Sequence, residues 1–284
     1  MGPFVRASGQ HRVIMSAEHW DRGFYDEMER QRREEQGRSG GGGGGSNGDD
    51  DKAQRPREGA IVIIPEETGV NNTLSHGTCD AFERVHPGAE AQREWAAIFA
   101  APITERLSKS LPGVELTTAA TIDLMDMCPF DTVANAAGTL SPFCALFSLD
   151  EWKDYDYYQS LGKYWGCGAG NPLGPTQGVG FVNELLARMT GLPVDDHTTT
   201  NSTLVSDPVT FPLDRHLYAD FSHDNNMMTI YAAMGLYGSA TSELPRTHRV
   251  DAPLAGGFSA AWTCLLYTSP SPRDRTRSRM PSSA

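Results

Sequence analysis

Residues 217–225 read LYADFSHDN, and this stretch decides the fold that the sequence predicts. The mainly apolar run that ends at Phe221 predicts a short strand, and Asp224 is a residue type favoured at the start of a helix. A second run, AIVII at residues 60–64, is rich in β-branched residues and is typical of a strand buried on both faces. Strands at these two places with helices between them predict an α/β protein.

The rest of the sequence has the periodicity of amphipathic helices. Ser148, followed three residues later by Glu151, forms a capping box that marks the start of one helix. Gly191 followed by Pro193 is the pattern that ends another. The predicted helices span residues 11–36, 90–111, 117–137, 148–164, 175–189 and 224–234.

We therefore expect an α/β core that carries an inserted all-α subdomain. The spacing of apolar residues in the insert predicts that its helices bury five side chains against one another: Trp95, Phe99, Leu107, Ile122 and Met125. The predicted segments are residues 1–38, 59–74 and 171–263 in the core, 75–170 in the helical subdomain, 39–58 as a glycine-rich insert and 264–284 as a tail. We expect residues 39–52 and 265–284 to be disordered or unpacked, because the first is low in complexity and the second resembles translated artificial sequence.

The composition limits the class of function. The chain has 284 residues, and 24 Lys and Arg against 36 Asp and Glu give a formal net charge of −12. This acidic balance argues against a nucleic-acid partner, since proteins that bind nucleic acids usually present a basic surface. The sequence has no uncharged apolar run of about 18 residues, the length needed to span a bilayer. We expect a monomer without a nucleic-acid or membrane partner.

Three residues with side chains suited to catalysis, Ser222, His223 and Asp224, lie where the predicted strand meets a helix. Adjacent side chains diverge along an extended segment, so these three residues cannot form a catalytic triad with one another. In the simpler interpretation Asp224 caps the helix and His223 is an ordinary histidine at the edge of the sheet. In the functional interpretation Asp224 donates a proton to a leaving group, while His223 donates a hydrogen bond to an anion at the helix N-terminus.

Arg6, in the stretch FVRASG at residues 4–9, is a second candidate. It follows two apolar residues and precedes a helix, so we expect it at a strand end, pointing into the same cleft. A guanidinium binds phosphate oxygens in a bidentate manner. A lone arginine is, however, more often part of a surface ion pair.

These segments resemble the secreted fungal histidine acid phosphatases, in the phytase branch. The resemblance covers residues 4–37 and 59–262, and its blocks occur in order along the chain. They are FVRASG (4–9), NNTL (71–74), GTC (77–79), LMDMC (124–128), SPFC (141–144), DEWKDYDYYQSL (150–161), GAGNPLGPTQGVGF (168–181) and LYADFSHDN (217–225).

The resemblance implies a histidine-phosphatase-like core and a two-step hydrolysis of phosphomonoesters, above all phytate, without a metal or other cofactor. In the family a histidine of an Arg-His-Gly motif attacks phosphorus, and a covalent phosphohistidine forms. Matching residues imply that Asp224 protonates the leaving oxygen and that Arg6 and His223 clamp the phosphoryl oxygens. Lys163 and Asp126 match residues of the pocket that binds the inositol phosphate. In the alternative interpretation both are ordinary charged residues on the solvent-exposed faces of helices.

The cysteines and sequons agree with a secreted family. The resemblance implies a disulfide between Cys128 and Cys144, and it also implies that Cys79 and Cys167 are unpaired. Two N-x-Thr sequons make Asn71 and Asn201 candidate glycosylation sites. We expect the full-length protein to be extracellular, although the first residues of this chain do not form a signal peptide.

One departure from the family concerns catalysis: the 284 residues contain no Arg-His-Gly motif. We expect an internal fragment of a phytase-like enzyme that lacks the nucleophile and is inactive. Two alternatives stay open, a non-catalytic anion-binding remnant and a general acid phosphatase. A third, a metal hydrolase that uses His76, His86 and His223, is weak because these histidines lack the spacing of metal ligands.

Overall fold

A computed structural model describes residues 2–39, 60–237 and 243–250. The described elements are, in chain order, β1 (Phe4–Ser8), α1 (His11–Ser39), β2 (Val62–Ile64), α2 (Asp80–Glu83), α3 (Pro87–Ser108), α4 (Thr118–Ala134), α5 (Leu149–Gly166), α6 (Gly174–Thr190), α7 (Ser202–Val205), β3 (Tyr218–Phe221) and α8 (Asp224–Ala233). A 3-10 helix, Pro142–Leu146, precedes α5. The segments predicted to be unpacked, 39–52 and 265–284, lie outside the described residues except for Ser39, where α1 ends.

The chain divides into two compact units. The first comprises Met1–Cys79 and Gly180–His223, and the second comprises Asp80–Val179 and Asp224–Ala284. The predicted domain map stays a prediction. It differs from this division at residues 75–79, at residues 171–179 and at α8, the last two of which it assigns to the α/β core.

The first unit contains a parallel sheet in the order β2-β1-β3. Arg6, in the middle of β1, pairs with Val62 on one side and with Asp220 on the other. Because all three strands run in the same direction, their carboxyl ends share one edge of the sheet. Helix α1 covers the sheet with Val13 and Ala17, both of which are buried. The α/β fold class is confirmed.

The prediction for residues 60–64 is wrong in one respect. The strand is shorter, and Ile63 is 46% exposed. Since β2 pairs with β1 alone among the described strands, it forms an edge of this sheet. A continuous apolar run indicates a strand, but burial on both faces also needs layers above and below it, which the run itself does not specify.

The helical unit is built around α3, α4 and α5. Its core contains the five predicted side chains Trp95, Phe99, Leu107, Ile122 and Met125. Helices α3 and α5 approach closely at Gly88, where an added Cβ would lie 2.7 Å from Gly162 O and from Gly166 Cα. The capping box of α5 is confirmed, since Ser148 Oγ accepts from Glu151 N and the Glu151 carboxylate accepts from Ser148 N.

The predicted disulfide is present. Cys128, on α4, is bonded to Cys144, on the 3-10 helix, and their Cα atoms lie 4.7 Å apart. Among the described residues, Cys79 and Cys167 are the free cysteines, as expected. No helix in the described part of the chain has the length and apolar character needed to cross a membrane.

Candidate functional site

A single loop ties together the carboxyl ends of the three strands. Asn72, which is 1% exposed, donates from its amide to Ser8 Oγ and to Ile64 O, at 3.1 Å each. Ser222, just after β3, donates from Oγ to Leu74 O at 2.6 Å. The NNTL block at residues 71–74 therefore has a structural task, which is to hold the strand ends in register with one another.

His223 follows directly on β3 at this edge and is 7% exposed. Its Nε2 lies 2.7 Å from Glu66 Oε1, and its Nδ1 lies 3.2 Å from Nη2 of Arg12. Glu66 is in the segment after β2, and Arg12 is in the first turn of α1. Elements that follow two different strands thus converge on one imidazole ring.

The Glu66 carboxylate is held in its ionised form. Partial burial acts against ionisation, but hydrogen bonds from Ser8, His223 and Gln10 outweigh it and lower the pKa of Glu66. The bond from Ser8 Oγ measures 2.5 Å. An ionised carboxylate that is held in this way accepts a hydrogen bond from the donor that faces it and fixes the orientation of that donor.

Arg6 has partners other than those expected. It is 2% exposed, and it donates to Asp220 (2.7 Å) and to Glu184 (2.8 Å). Arg188 donates to the same Asp220 at 2.5 Å. Burial disfavours the charged forms, but the opposite charges outweigh it, so the pKa of Arg6 is raised and that of Asp220 is lowered to about 2.

Arg6 is therefore engaged within a buried ion cluster, and its predicted contact with a phosphate stays a prediction. Arg12, which the sequence analysis does not single out, is exposed and contacts His223. One signal points to it: an arginine in the first turn of a helix that follows a parallel strand lies at the ligand-binding edge of the sheet.

Asp224 is the first residue of α8, in the helical unit. Its carboxylate forms an ion pair with Lys163 of α5, and Lys163 Nζ also donates to Asn225 Oδ1 at 2.6 Å. Burial acts against ionisation, but the Lys163 ammonium and nearby backbone N–H groups outweigh it and lower the pKa of Asp224. The structure thus brings together two predicted site residues, Asp224 and Lys163.

Asp126 has a different hydrogen-bond partner from Lys163. It accepts a hydrogen bond from the Tyr155 hydroxyl, and Tyr155 precedes Lys163 by eight residues on α5. Eight residues of α-helix correspond to about 12 Å along the axis. Burial, followed by the bond to Asp126, raises the pKa of Tyr155. The two residues expected in one specificity pocket therefore have different partners.

Cys167, at the end of α5, lies within electrostatic range of Lys163 and Asp224. Burial is the largest effect, and it raises the pKa of the Cys167 thiol to about 11, although Lys163 acts in the opposite direction. At neutral and acidic pH this side chain is therefore a neutral thiol, and not a nucleophilic thiolate.

The two sequon asparagines are neighbours in the first unit. Asn71 donates to Thr200 O at 3.0 Å, and Asn201 donates to Asn71 O at 3.3 Å.

As for the weak metal alternative, residues 2–39, 60–237 and 243–250 contain no group of three His, Cys, Asp or Glu side chains arranged to hold a metal ion.

Comparisons with known proteins identify the family. The sequence matches the histidine phosphatase superfamily (branch 2) over residues 2–269. It is 50% identical over 262 residues to Phytase A of Aspergillus fumigatus, a match that covers 92% of this chain and 52% of that protein. Phytase A of Emericella nidulans is 49% identical over 263 residues, with 92% and 52% covered. Phytase A of Penicillium oxalicum is 48% identical over 265 residues, with 92% and 53% covered.

The chain spans about half the length of the curated relatives that it matches. The match nevertheless includes both the sheet edge with His223 and the helix that starts at Asp224. The chain belongs to branch 2 of the histidine phosphatase superfamily.

Proposed function

We propose that this chain carries the phosphate-binding and proton-donating residues of a phosphomonoester hydrolase whose substrate is phytate. The observation that carries the proposal is the contact between Arg12 and His223, 3.2 Å apart, at the carboxyl edge of a parallel sheet. Family membership and relatives named Phytase A support this reaction and this substrate class.

Arg12 and His223 provide what a phosphate group requires. A guanidinium offers two parallel donors to phosphate oxygens, and a protonated imidazole adds a third. Arg12 also lies in the first turn of α1, where the helix dipole favours anions. The formal net charge of −12 makes such a local concentration of donors necessary for a polyanion to bind.

Asp224 is the proposed proton donor, in agreement with the residue that it matches in the family. In the structure Lys163 keeps this carboxylate ionised. A substrate phosphate that contacts Lys163 would attract its ammonium away from Asp224 and add negative charge near this carboxylate. Both changes raise the pKa of Asp224, so the substrate itself would prepare the acid that protonates the leaving oxygen.

We further propose that the full-length protein is secreted and monomeric and that it carries N-glycans at Asn71 and Asn201. The disulfide between Cys128 and Cys144 supports an oxidising compartment. The exposed side chain of Asn71 supports modification at that sequon.

Anion binding tests the proposal without requiring turnover. Calorimetric titration of the chain with phytate and with inorganic phosphate at pH 5 should show binding that Arg12→Met weakens by about tenfold or more, because a charge-assisted hydrogen bond contributes about 1.5–3 kcal/mol. Arg22→Met is the matched control, since Arg22 is exposed on the same helix. Equal affinity in the Arg12→Met variant and the unmodified chain would overturn the assignment.

A second candidate is a non-catalytic anion-binding module, which is favoured by the absence of an Arg-His-Gly motif from the 284 residues. The third, a general acid phosphatase, is separated from a phytase by substrate preference. Phytate should bind more tightly than phenyl phosphate, and Lys163→Met should remove that preference. Equal affinity for the two esters in the unmodified chain would favour the general phosphatase.

A further inference from the structure

The partners of His223 determine which ring nitrogen carries a hydrogen. Arg12 can only donate, so Nδ1 of His223, 3.2 Å from Nη2 of Arg12, must act as the acceptor. A neutral imidazole has one donor and one acceptor nitrogen. We therefore assign the hydrogen to Nε2, which donates to Glu66 Oε1 at 2.7 Å.

Glu66 is itself held by a chain of hydrogen bonds within the same unit. Ser8 Oγ donates to Glu66 Oε1 at 2.5 Å, and the buried amide of Asn72 donates to Ser8 Oγ at 3.1 Å. Asn72 is anchored in turn by Ile64 O and by Pro65 O. The carboxylate that faces Nε2 thus has a fixed position, set by the ends of β1 and β2.

We propose that Glu66 is a positioning residue that holds the His223 ring with Nε2–H bonded to its carboxylate, so that Nδ1, beside Arg12, takes up a proton when a tetrahedral oxyanion binds. The role of the anion rests on the proposed function, whereas the role of Glu66 in orienting the ring does not. In this step one proton passes from solvent to Nδ1, and the hydrogen bond from Arg12 to Nδ1 is lost.

Protonation converts this contact into an anion site. Once Nδ1 carries a hydrogen, Nδ1 and Nη2 of Arg12 are two donors side by side, and both become satisfied if an anion oxygen accepts from each. The Glu66 carboxylate attracts the imidazolium and the Arg12 guanidinium repels it, so the anion removes the effect that opposes protonation.

Within the described part of the chain, the charged side chains bonded to the ring come from two segments. They are Glu66 from the segment after β2 and Arg12 from α1, and Asp224 is the next residue in the sequence. Ser8 and Asn72, which support Glu66, are uncharged. The proton uptake that accompanies anion binding should therefore depend on Glu66.

Sulfate is the probe for the test, because it is a tetrahedral dianion that does not titrate in the range where histidine does. Calorimetry in buffers of different ionisation enthalpy, between pH 5 and 8, measures the protons taken up on binding. We expect uptake approaching one proton in the unmodified chain, and none in His223→Gln. Glu66→Gln should reduce this proton uptake. It should also lower the affinity for sulfate at pH 5 by about tenfold, because a neighbouring charge of opposite sign changes a protonation equilibrium by about that factor.

Glu67→Gln is the matched control, since Glu67 is the adjacent, exposed glutamate, and Glu66→Asp should restore part of the uptake. Unchanged uptake and affinity in Glu66→Gln, or binding without proton uptake in the unmodified chain, would overturn the proposal. If Glu66→Gln does not fold, proton uptake by the unmodified chain still decides whether an anion brings a proton to the site.

The nitrogen-15 spectrum of the His223 ring in the unmodified chain provides a second readout, assigned by comparison with His223→Gln. A neutral ring with hydrogen on Nε2 is expected, and hydrogen on Nδ1 would overturn the role of Glu66 whether or not any anion binds. If the chain bound neither sulfate nor phosphate, the proposed function and the proton uptake on anion binding would be refuted. The nitrogen-15 spectrum would still decide which ring nitrogen of His223 carries the hydrogen.

Discussion

Two arginines six positions apart show how environment decides the role of a residue. Arg6 lies in the middle of a strand and is surrounded by carboxylates, whereas Arg12 is exposed in the first turn of the following helix. Either guanidinium has the chemistry to bind phosphate. The difference is that the charge of Arg6 is already balanced by Asp220 and Glu184, so an anion would have to displace two buried ion pairs.

The buried cluster leads to a prediction about stability. Arg6→Met should lower the free energy of unfolding by about 3–5 kcal/mol at pH 7, because it leaves Asp220 and Glu184 without one of their partners. Urea unfolding followed by circular dichroism measures the loss. Arg22→Met, with its exposed guanidinium, should stay within about 0.5 kcal/mol of the unmodified chain.

The same cluster sets how this loss depends on pH. The folded-state pKa of Asp220, about 2, lies below the unfolded value of about 3.9. The contribution of Asp220 to stability is therefore fully present above about pH 4 and is lost as pH falls through 2. The difference between Arg6→Met and the unmodified chain should shrink over that interval, and a difference that stayed constant from pH 7 to pH 2 would contradict the assignment of an ionised cluster.

Among the elements, α3 and α5 depend on glycine for their close approach. A Cβ on Gly88 would lie 2.7 Å from backbone atoms of Gly162 and Gly166, whereas the atoms nearest to a Cβ on Gly162 belong to the side-chain amide of Gln92.

We expect Gly88→Ala to lower the free energy of unfolding by about 1–3 kcal/mol, the usual range for overpacking against atoms that cannot move. Gly162→Ala should have a smaller effect, because the Gln92 side chain can rotate away. Thermal unfolding of the two variants measures the difference. A greater loss in Gly162→Ala would show that the helices are not packed through Gly88.

Much of the element structure could be predicted because its causes are local. The capping box at Ser148 and Glu151 and the glycine with positive φ at Gly191 depend on residues close in sequence. The exposure of Ile63 could not be predicted, because it depends on which elements pack against the faces of the sheet. The partners of Arg6 could not be predicted either, because Glu184 and Asp220 lie 178 and 214 positions away in the sequence.

At the scale of the whole molecule, the predicted site residues divide between the two units. The sheet unit contains His223 with Arg12 and Glu66, and the helical unit contains Asp224 with Lys163. The two consecutive residues of the His-Asp pair are thus positioned by separate sets of contacts. Motif blocks from both units, including NNTL and LYADFSHDN, were sufficient to indicate the family, although they do not reveal Arg12 or Glu66 as partners of His223.

The final prediction concerns turnover by the chain as a whole. The 284 residues contain the proposed anion donors and the proposed proton donor but no Arg-His-Gly motif, so no histidine matches the residue that attacks phosphorus in the family. Removal of a nucleophile typically lowers the rate by several orders of magnitude and leaves only the effects of binding.

We therefore expect the purified chain to bind phytate at pH 5 without releasing phosphate above the level of an Asp224→Asn control. The measurement is phosphate release over hours, accompanied by a search for acid-labile phosphate on the protein after a quench. Asp224→Asn is suited as the control because it keeps the size of the side chain and removes the proton donor. Release well above that control, or a phosphorylated histidine in the unmodified chain, would show that another group performs the nucleophilic attack. His76 would be the first residue to replace, because among the eight histidines of the chain it alone is followed by a glycine.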